Sequence, residues 1–119
     1  MNIEDLRQHC LSLKGLEETL PFGPDNLVMK VMGKMFCLIS IDATPLSCNL
    51  KCYPEHVDNL RDAYTGVRPG YHMNKRHWNT IVFDGSFDDA DAVQWVNDSY
   101  ALVVSSLPKK LQTELHQLP

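Results

Sequence analysis

The sequence predicts an α+β fold, an antiparallel sheet of about four to five strands covered on one face by helices, and three features carry that expectation. Two β-type runs, Leu27 to Met32 and Met35 to Ile41, are separated only by Gly33-Lys34. A connection that short joins antiparallel strands only. A long segment from about Phe87 to Leu107 has apolar residues at helical spacing, and two shorter segments of the same kind lie at 3–13 and 54–64. The order of elements is helix, three strands, helix, one or two strands, helix. In 119 residues with 44% hydrophobic content this makes one domain over 1–119, large enough for one core.

Asn2 can cap a first helix whose Ile3, Leu6, Cys10 and Leu13 form one stripe, and Gly15 ends it. Leu16 to Asn26 contains Leu20-Pro-Phe-Gly-Pro24 and is expected to be an ordered loop pinned by Phe22. After the hairpin, Asp42-Ala-Thr-Pro45 reads as a turn. A third strand follows over Leu46 to Tyr53, with Leu46, Cys48, Leu50 and Cys52 alternating with polar partners. Pro54 suits the first position of the second helix and Glu55 its first turn, with Val57, Leu60 and Tyr64 facing inward. Beyond the Pro69-Gly70 turn, a short extended piece is expected at Tyr71 to Met73 and a longer strand from His77 to Phe83, where Trp78 reads as a core peg. Ser86 and Asp89 form a capping-box variant opening the long helix, whose inward positions are Ala90, Val93, Val96, Tyr100, Val103, Val104 and Leu107. Pro108 interrupts it before a last helical turn or two.

Composition narrows the function classes. No run approaches the ~18 apolar residues of a membrane span, and Glu4 and Asp5 stand where a signal peptide needs positive charge. A cytoplasmic location and no membrane partner are therefore expected. Cys10, Cys37, Cys48 and Cys52 are scattered among apolar positions and are expected to be free thiols. On a strand Cys48 and Cys52 lie ~13 Å apart, beyond a disulfide or a shared metal ion. Neither metal nor cofactor is expected.

The net charge of −4 is unevenly spread. Asp84 to Asp98 holds five acids and no Lys or Arg, whereas Arg61 to Trp78 holds four basic residues and one acid. The stretch Arg68-Pro-Gly-Tyr-His-Met-Asn-Lys-Arg-His-Trp78 gathers cations, amides and aromatics around a turn, the blend used to bind polyanions. The reading that follows is a non-catalytic DNA-binding protein. Lys75 and Arg76 contact phosphates, Arg68 and Lys51 extend the positive strip, and Tyr71, His72, Asn74 and His77 complete the surface toward sugars and bases. Two alternatives use the same residues: an adaptor for an acidic protein segment or small anion, and an enzyme with a His72/His77 pocket. No HExxH spacing, nucleophile elbow or phosphate-cradling loop accompanies the histidines. A monomer is favoured.

Four segments in order, Leu20-Pro-Phe-Gly-Pro24, Asn49-Leu-Lys-Cys52, Arg68 to Trp78, and Ser99-Tyr-Ala-Leu-Val with Leu107-Pro-Lys-Lys110, resemble the MmcQ/YjbR family of small bacterial proteins across nearly the whole chain. The resemblance implies the double-wing α+β fold, grouped with secretion-chaperone and frataxin-like (CyaY-like) proteins. That fold is similar to the C-terminal domain of a phage transcription factor that binds DNA, so the resemblance implies DNA binding as well.

Overall fold

The computed structural model describes residues 1–71 and 73–119. Helix α1 (Ile3–Leu11) opens with a reciprocal capping box: Asp5 N–H donates to Asn2 Oδ1 at 2.9 Å and Asn2 N–H to Asp5 Oδ2 at 3.0 Å. Its buried stripe is Leu6 and Cys10. The chain then forms strand β1 (Leu16–Thr19), where the sequence suggested a loop. A four-residue edge strand with two adjacent glutamates carries almost no apolar alternation to announce itself. Phe22, expected to pin the segment, is 66% exposed.

Strands β2 (Asn26–Val31) and β3 (Lys34–Ser40) form the hairpin, with Val31 opposite Lys34. The two turn residues are therefore Met32 and Gly33, one position earlier than expected. Both have positive φ, 49° and 85°, as a turn matching the right-handed strand twist requires. The turn at 42–45 contains a cis Thr44-Pro45 bond and leads to β4 (Ser47–Lys51). Helix α2 (Pro54–Ala63) begins with proline at its first position.

The next strand, β5 (Val67–Pro69), lies before Gly70 rather than at 71–73; Tyr71 is in a turn, Met73 in a bend, and His72 is outside the described residues. Strand β6 (Trp78–Val82) pairs with both β4 and β5. Helix α3 (Asp89–Ser105) is capped by Asp88, whose N–H donates to Asp91 Oδ2 at 3.1 Å. Ser86, expected as the cap, instead accepts a hydrogen bond from Gly66 N at 3.0 Å. Helix α4 (Lys109–Gln117) follows Pro108.

Among the described residues all pairings are antiparallel, and six strands run in the order β1-β2-β3-β4-β6-β5, one or two more than the sequence revealed. Register makes the two faces explicit. Leu27, Ile39, Cys48, Ile81 and Val67 form one row across the sheet, and Met29, Cys37, Leu50, Asn79 and Pro69 the next. These rows contribute most of the core, which Leu6 and Cys10 of α1, Val96 and Val103 of α3 and Leu115 of α4 cover. Phe36 is fully buried, edge-on to Tyr100 at 5.4 Å, a contribution of about 2 kcal/mol from burial alone.

The inward face of α3 is Ala92, Val96, Ser99 and Val103; Ala90 is exposed. Ser99 is there for the backbone. The β3–β4 ladder ends at Cys37 and Leu50, and Ser99 Oγ accepts from Lys51 N at 2.9 Å while donating to Phe36 O at 2.5 Å. A helix hydroxyl thus satisfies the two groups the next ladder step would have joined.

The opposite face has a more polar row, Thr19, Val28, Leu38, Asn49, Thr80 and Arg68. Strand alternation places Trp78 on this side, half-buried, and not in the core where the sequence suggested it. Among the described residues no helix is long and apolar enough to cross a membrane.

Candidate nucleic-acid interface and a neighbouring cavity

The β5–β6 connection is a tightly bonded loop. Gly70 N donates to Trp78 O at 3.1 Å, and a Cβ at Gly70 would lie 2.8 Å from that oxygen, so only glycine allows the approach. Asn74 O accepts from His77 N and Trp78 N at 3.1 and 2.9 Å, and Asn74 Oδ1 accepts from Arg76 N at 2.9 Å. Lys75 Nζ donates to Gly70 O at 3.1 Å, and Cys52 N to His77 O at 2.7 Å. Arg61 of α2 completes the anchorage by donating Nη2 to Lys75 O and, at 3.3 Å, to Trp78 O.

These bonds distribute the residues singled out in the sequence over three places. Arg68 and Tyr71 lie on the helix-free face, where Arg68 Nε donates to Thr65 O at 3.2 Å and Tyr71 lines a groove with Phe22, Leu38 and Asn49. Tyr71 N donates to Thr80 Oγ1, which donates to Asn49 Oδ1 at 2.6 Å, so the loop is tied to the polar row. Lys75 and Arg76 are exposed at the loop tip, beside a shallow cleft that also includes Glu55, Asp58 and Arg61. Lys51, half-buried at the end of β4, faces Trp78 in register and borders a cavity under α2. His77 is half-buried and enters the turn through its backbone; the suggested His72/His77 pocket falls outside the described residues.

Charge pairing separates the cations. Arg7 pairs with Glu18 at 2.6 Å, and Arg61 lies 3.9 Å from Asp58. Among the described residues Lys51, Arg68, Lys75 and Arg76 have no carboxylate within 4.0 Å.

The cavity lies between α2, α3 and the core face of the sheet, with a volume of about 150 Å³. Leu50, Leu60, Ile81 and Trp95 make it largely apolar, and Asn79, Asp98 and Cys52 add polar groups. Trp95 is held by edge contacts with Tyr64 and Phe87 at centroid distances of 5.2 and 4.9 Å, so that wall is fixed. Burial and then the Asp98 carboxylate push the Cys52 thiol up to about 11, which keeps it neutral. Cys37, in the core, is raised well above its ordinary value, first by hydrogen bonding to Cys10, then to Cys48 and by burial. All four cysteines are free. Among the described residues no group of three or more His, Cys, Asp or Glu could hold a metal ion.

Sequence reasoning missed Arg61, Asn79 and Asp98. One signal was present: alternation in Trp78 to Val82 puts Asn79 on the same face as Ile81, and an amide on the core face of a central strand requires a partner.

A six-stranded antiparallel sheet with helices on one face makes this a small α+β protein by architecture. The chain belongs to the YjbR family, whose family model matches residues 11–102. It is 32% identical over 118 residues to the uncharacterised protein YjbR of Escherichia coli K12, covering 99% of this chain and all of that one. It is 36% identical over 110 residues to the uncharacterised protein YbdF of Escherichia coli O157:H7, covering 92% and 89% of the two chains. The crystal structure of Deinococcus radiodurans protein DR2400 is similar with a TM-score of 0.91 and 37% identity, covering 99% of this chain and 89% of that one. A crystal structure from Pseudomonas syringae follows at 0.75 and 26% identity, covering 86% and 98%.

Proposed function

We propose that this protein is a non-catalytic, cytoplasmic DNA-binding protein that contacts backbone phosphates through the β5–β6 loop. The observation that carries the reading is that Arg68 on strand β5 and Lys75 and Arg76 on the β5–β6 loop are exposed with no carboxylate partner among the described residues, and that the loop's backbone is already bonded in place. Cations left unpaired on an ordered loop exchange water and counterions for phosphate with little ordering cost, and released counterions drive the association. The exposed rings of Phe22 and Tyr71 border the groove on the sheet face that Arg68 shares, offering surfaces for sugars or unstacked bases.

Lys51 is half-buried and Arg61 is engaged by the loop carbonyls, so about three phosphate contacts are expected rather than five. Fluorescence anisotropy with a labelled random duplex at several salt concentrations tests this. At ~0.9 per contact the log–log slope should be about −3. No binding at low salt removes the reading.

A further inference from the structure

The cavity under α2 contains a polar group with an unmet requirement. Arg61 Nε donates to Asn79 Oδ1 at 2.8 Å, and because a guanidinium can only donate, the amide oxygen must face it. The Asn79 Nδ2 group is thereby turned away from Arg61, and it has no partner among the described residues although Asn79 is only 1% exposed. Buried amide donors normally meet an acceptor, so an unmet one aimed into a cavity calls for a partner there. Across the same cavity, Asp98 Oδ1 accepts from Gln94 Nε2 at 2.8 Å, and Asp98 Oδ2 has no hydrogen-bond partner among the described residues. Between the two lies an apolar space of about 150 Å³, the size at which a cavity accepts a single six-membered ring.

We propose that this cavity is a binding site for a small, neutral, planar ring bearing a carbonyl and an N–H group, an aromatic amide or lactam. The carbonyl accepts from Asn79 Nδ2, the N–H donates to Asp98, and the ring packs beside Trp95, Leu50 and Ile81. The site is independent of the DNA reading, since its walls are α2, α3 and the core face of the sheet, while Arg68, Lys75 and Arg76 lie outside it. Arg61 connects the two, holding Asn79 with one nitrogen and the loop carbonyls with another.

The test is a ¹H–¹⁵N NMR titration of the full chain with benzamide, and in parallel with toluene as the ring without polar groups. Benzamide at millimolar concentration should shift the Asn79 side-chain amide and the Trp95 indole, and bind at least about tenfold more tightly than toluene. Asn79→Asp keeps the size and the oxygen that Arg61 requires but removes the donor, and should reduce benzamide to the level of toluene. Should that variant fail to fold, Leu60→Trp, which fills the space from the half-buried face of α2, should abolish both shifts. No shift at Asn79 or Trp95, or equal affinity for benzamide and toluene in the unaltered protein, overturns the proposal. Neither probe carries charge, so the outcome is separable from that of the DNA titration.

Discussion

Arg61 on α2 donates to Asn79 Oδ1 on β6 at 2.8 Å and to the loop carbonyls of Lys75 and Trp78, so one side chain fastens the second helix to the core face of the sheet and to the basic loop together. Arg61 is largely buried on its stem, and its three acceptors are fixed by the strand and the turn. Arg61→Ala should lower stability by about 2–3 kcal/mol, from lost charged hydrogen bonds and orphaned acceptors. Arg61→Lys should not restore it, because a single ammonium cannot span the same fork. Urea unfolding checks the magnitude. Amide exchange at residues 74–78 should speed up in both variants, and unchanged exchange there would show that the loop does not depend on α2.

Ser99 makes a comparably local prediction. Its hydroxyl is fully buried and closes the end of the β3–β4 ladder at Lys51 N and Phe36 O. Ser99→Ala leaves a buried donor and a buried acceptor open, and should cost about 2–3 kcal/mol. Ser99→Cys, nearly isosteric with a weaker donor, should fall between. Equal denaturation midpoints for all three proteins would show that water replaces the hydroxyl.

Gly66 is required by space rather than by dihedral freedom. Its N–H donates to Ser86 Oγ, its carbonyl accepts from Val82 N at 2.7 Å, and a Cβ there would collide with Val82 O and lie 2.7 Å from Asp84 Oδ1. Since the obstructing atom belongs to the β6 backbone, β5 itself would have to move. Gly66→Ala should therefore destabilise by about 2 kcal/mol or more, as overpacking does, whereas Gly85→Ala, with open space around it, pays only for its positive φ. Thermal unfolding of the two variants side by side decides it.

What was legible in the sequence follows from how each signal arises. The β2–β3 hairpin, α2 after Pro54 and the span of α3 were readable because periodicity and proline act locally. Strand β1 was not, since Glu17 and Glu18 give it no apolar alternation and only pairing with β2 makes it a strand. The inward turn of Ser99 was equally hidden, since its hydroxyl answers Phe36 O far along the chain, whereas alternation announced the inward face of Asn79 but not its partner Arg61. The basic loop was legible as composition, but its division between the helix-free face and the α2 side is set by the bonds that fold residues 70–78, which no spacing announces.

The loop cations divide by their internal bonds. Arg76 has none from its side chain among the described residues, while Lys75 Nζ donates to Gly70 O. Arg76→Ala should thus alter stability by no more than ~0.5 kcal/mol and Lys75→Ala by up to about 1 kcal/mol. Both should weaken duplex binding regardless of sequence, and the double variant should reduce the salt slope by roughly two. An unchanged slope would mean that the loop tip does not meet phosphate.

Cys52 supplies a pH test of the cavity's electrostatics. Burial, and second the Asp98 carboxylate, hold its thiol at about 11, whereas in the unfolded chain it ionises near ~8.5. The raised value favours the neutral thiol in the fold, so its contribution is present in full below the unfolded pKa. Between about pH 9 and 11 the unfolded chain loses a proton that the folded one keeps, and stability must fall with rising pH. Lysines and tyrosines titrate in the same range, so the quantity to measure is the difference between the unaltered protein and Cys52→Ala in urea midpoint at pH 8, 9 and 10. That difference should shift against the unaltered protein as pH rises. Asp98→Asn removes the second cause and leaves the first, so the pH midpoint for alkylation of Cys52 by iodoacetamide should move down toward the ordinary thiol value without reaching it. Cys10, Cys37 and Cys48 are buried and should not compete for the reagent in the native state. An alkylation midpoint already near ~8.5, or one that ignores Asp98→Asn, would mean that the carboxylate and the thiol do not share this cavity.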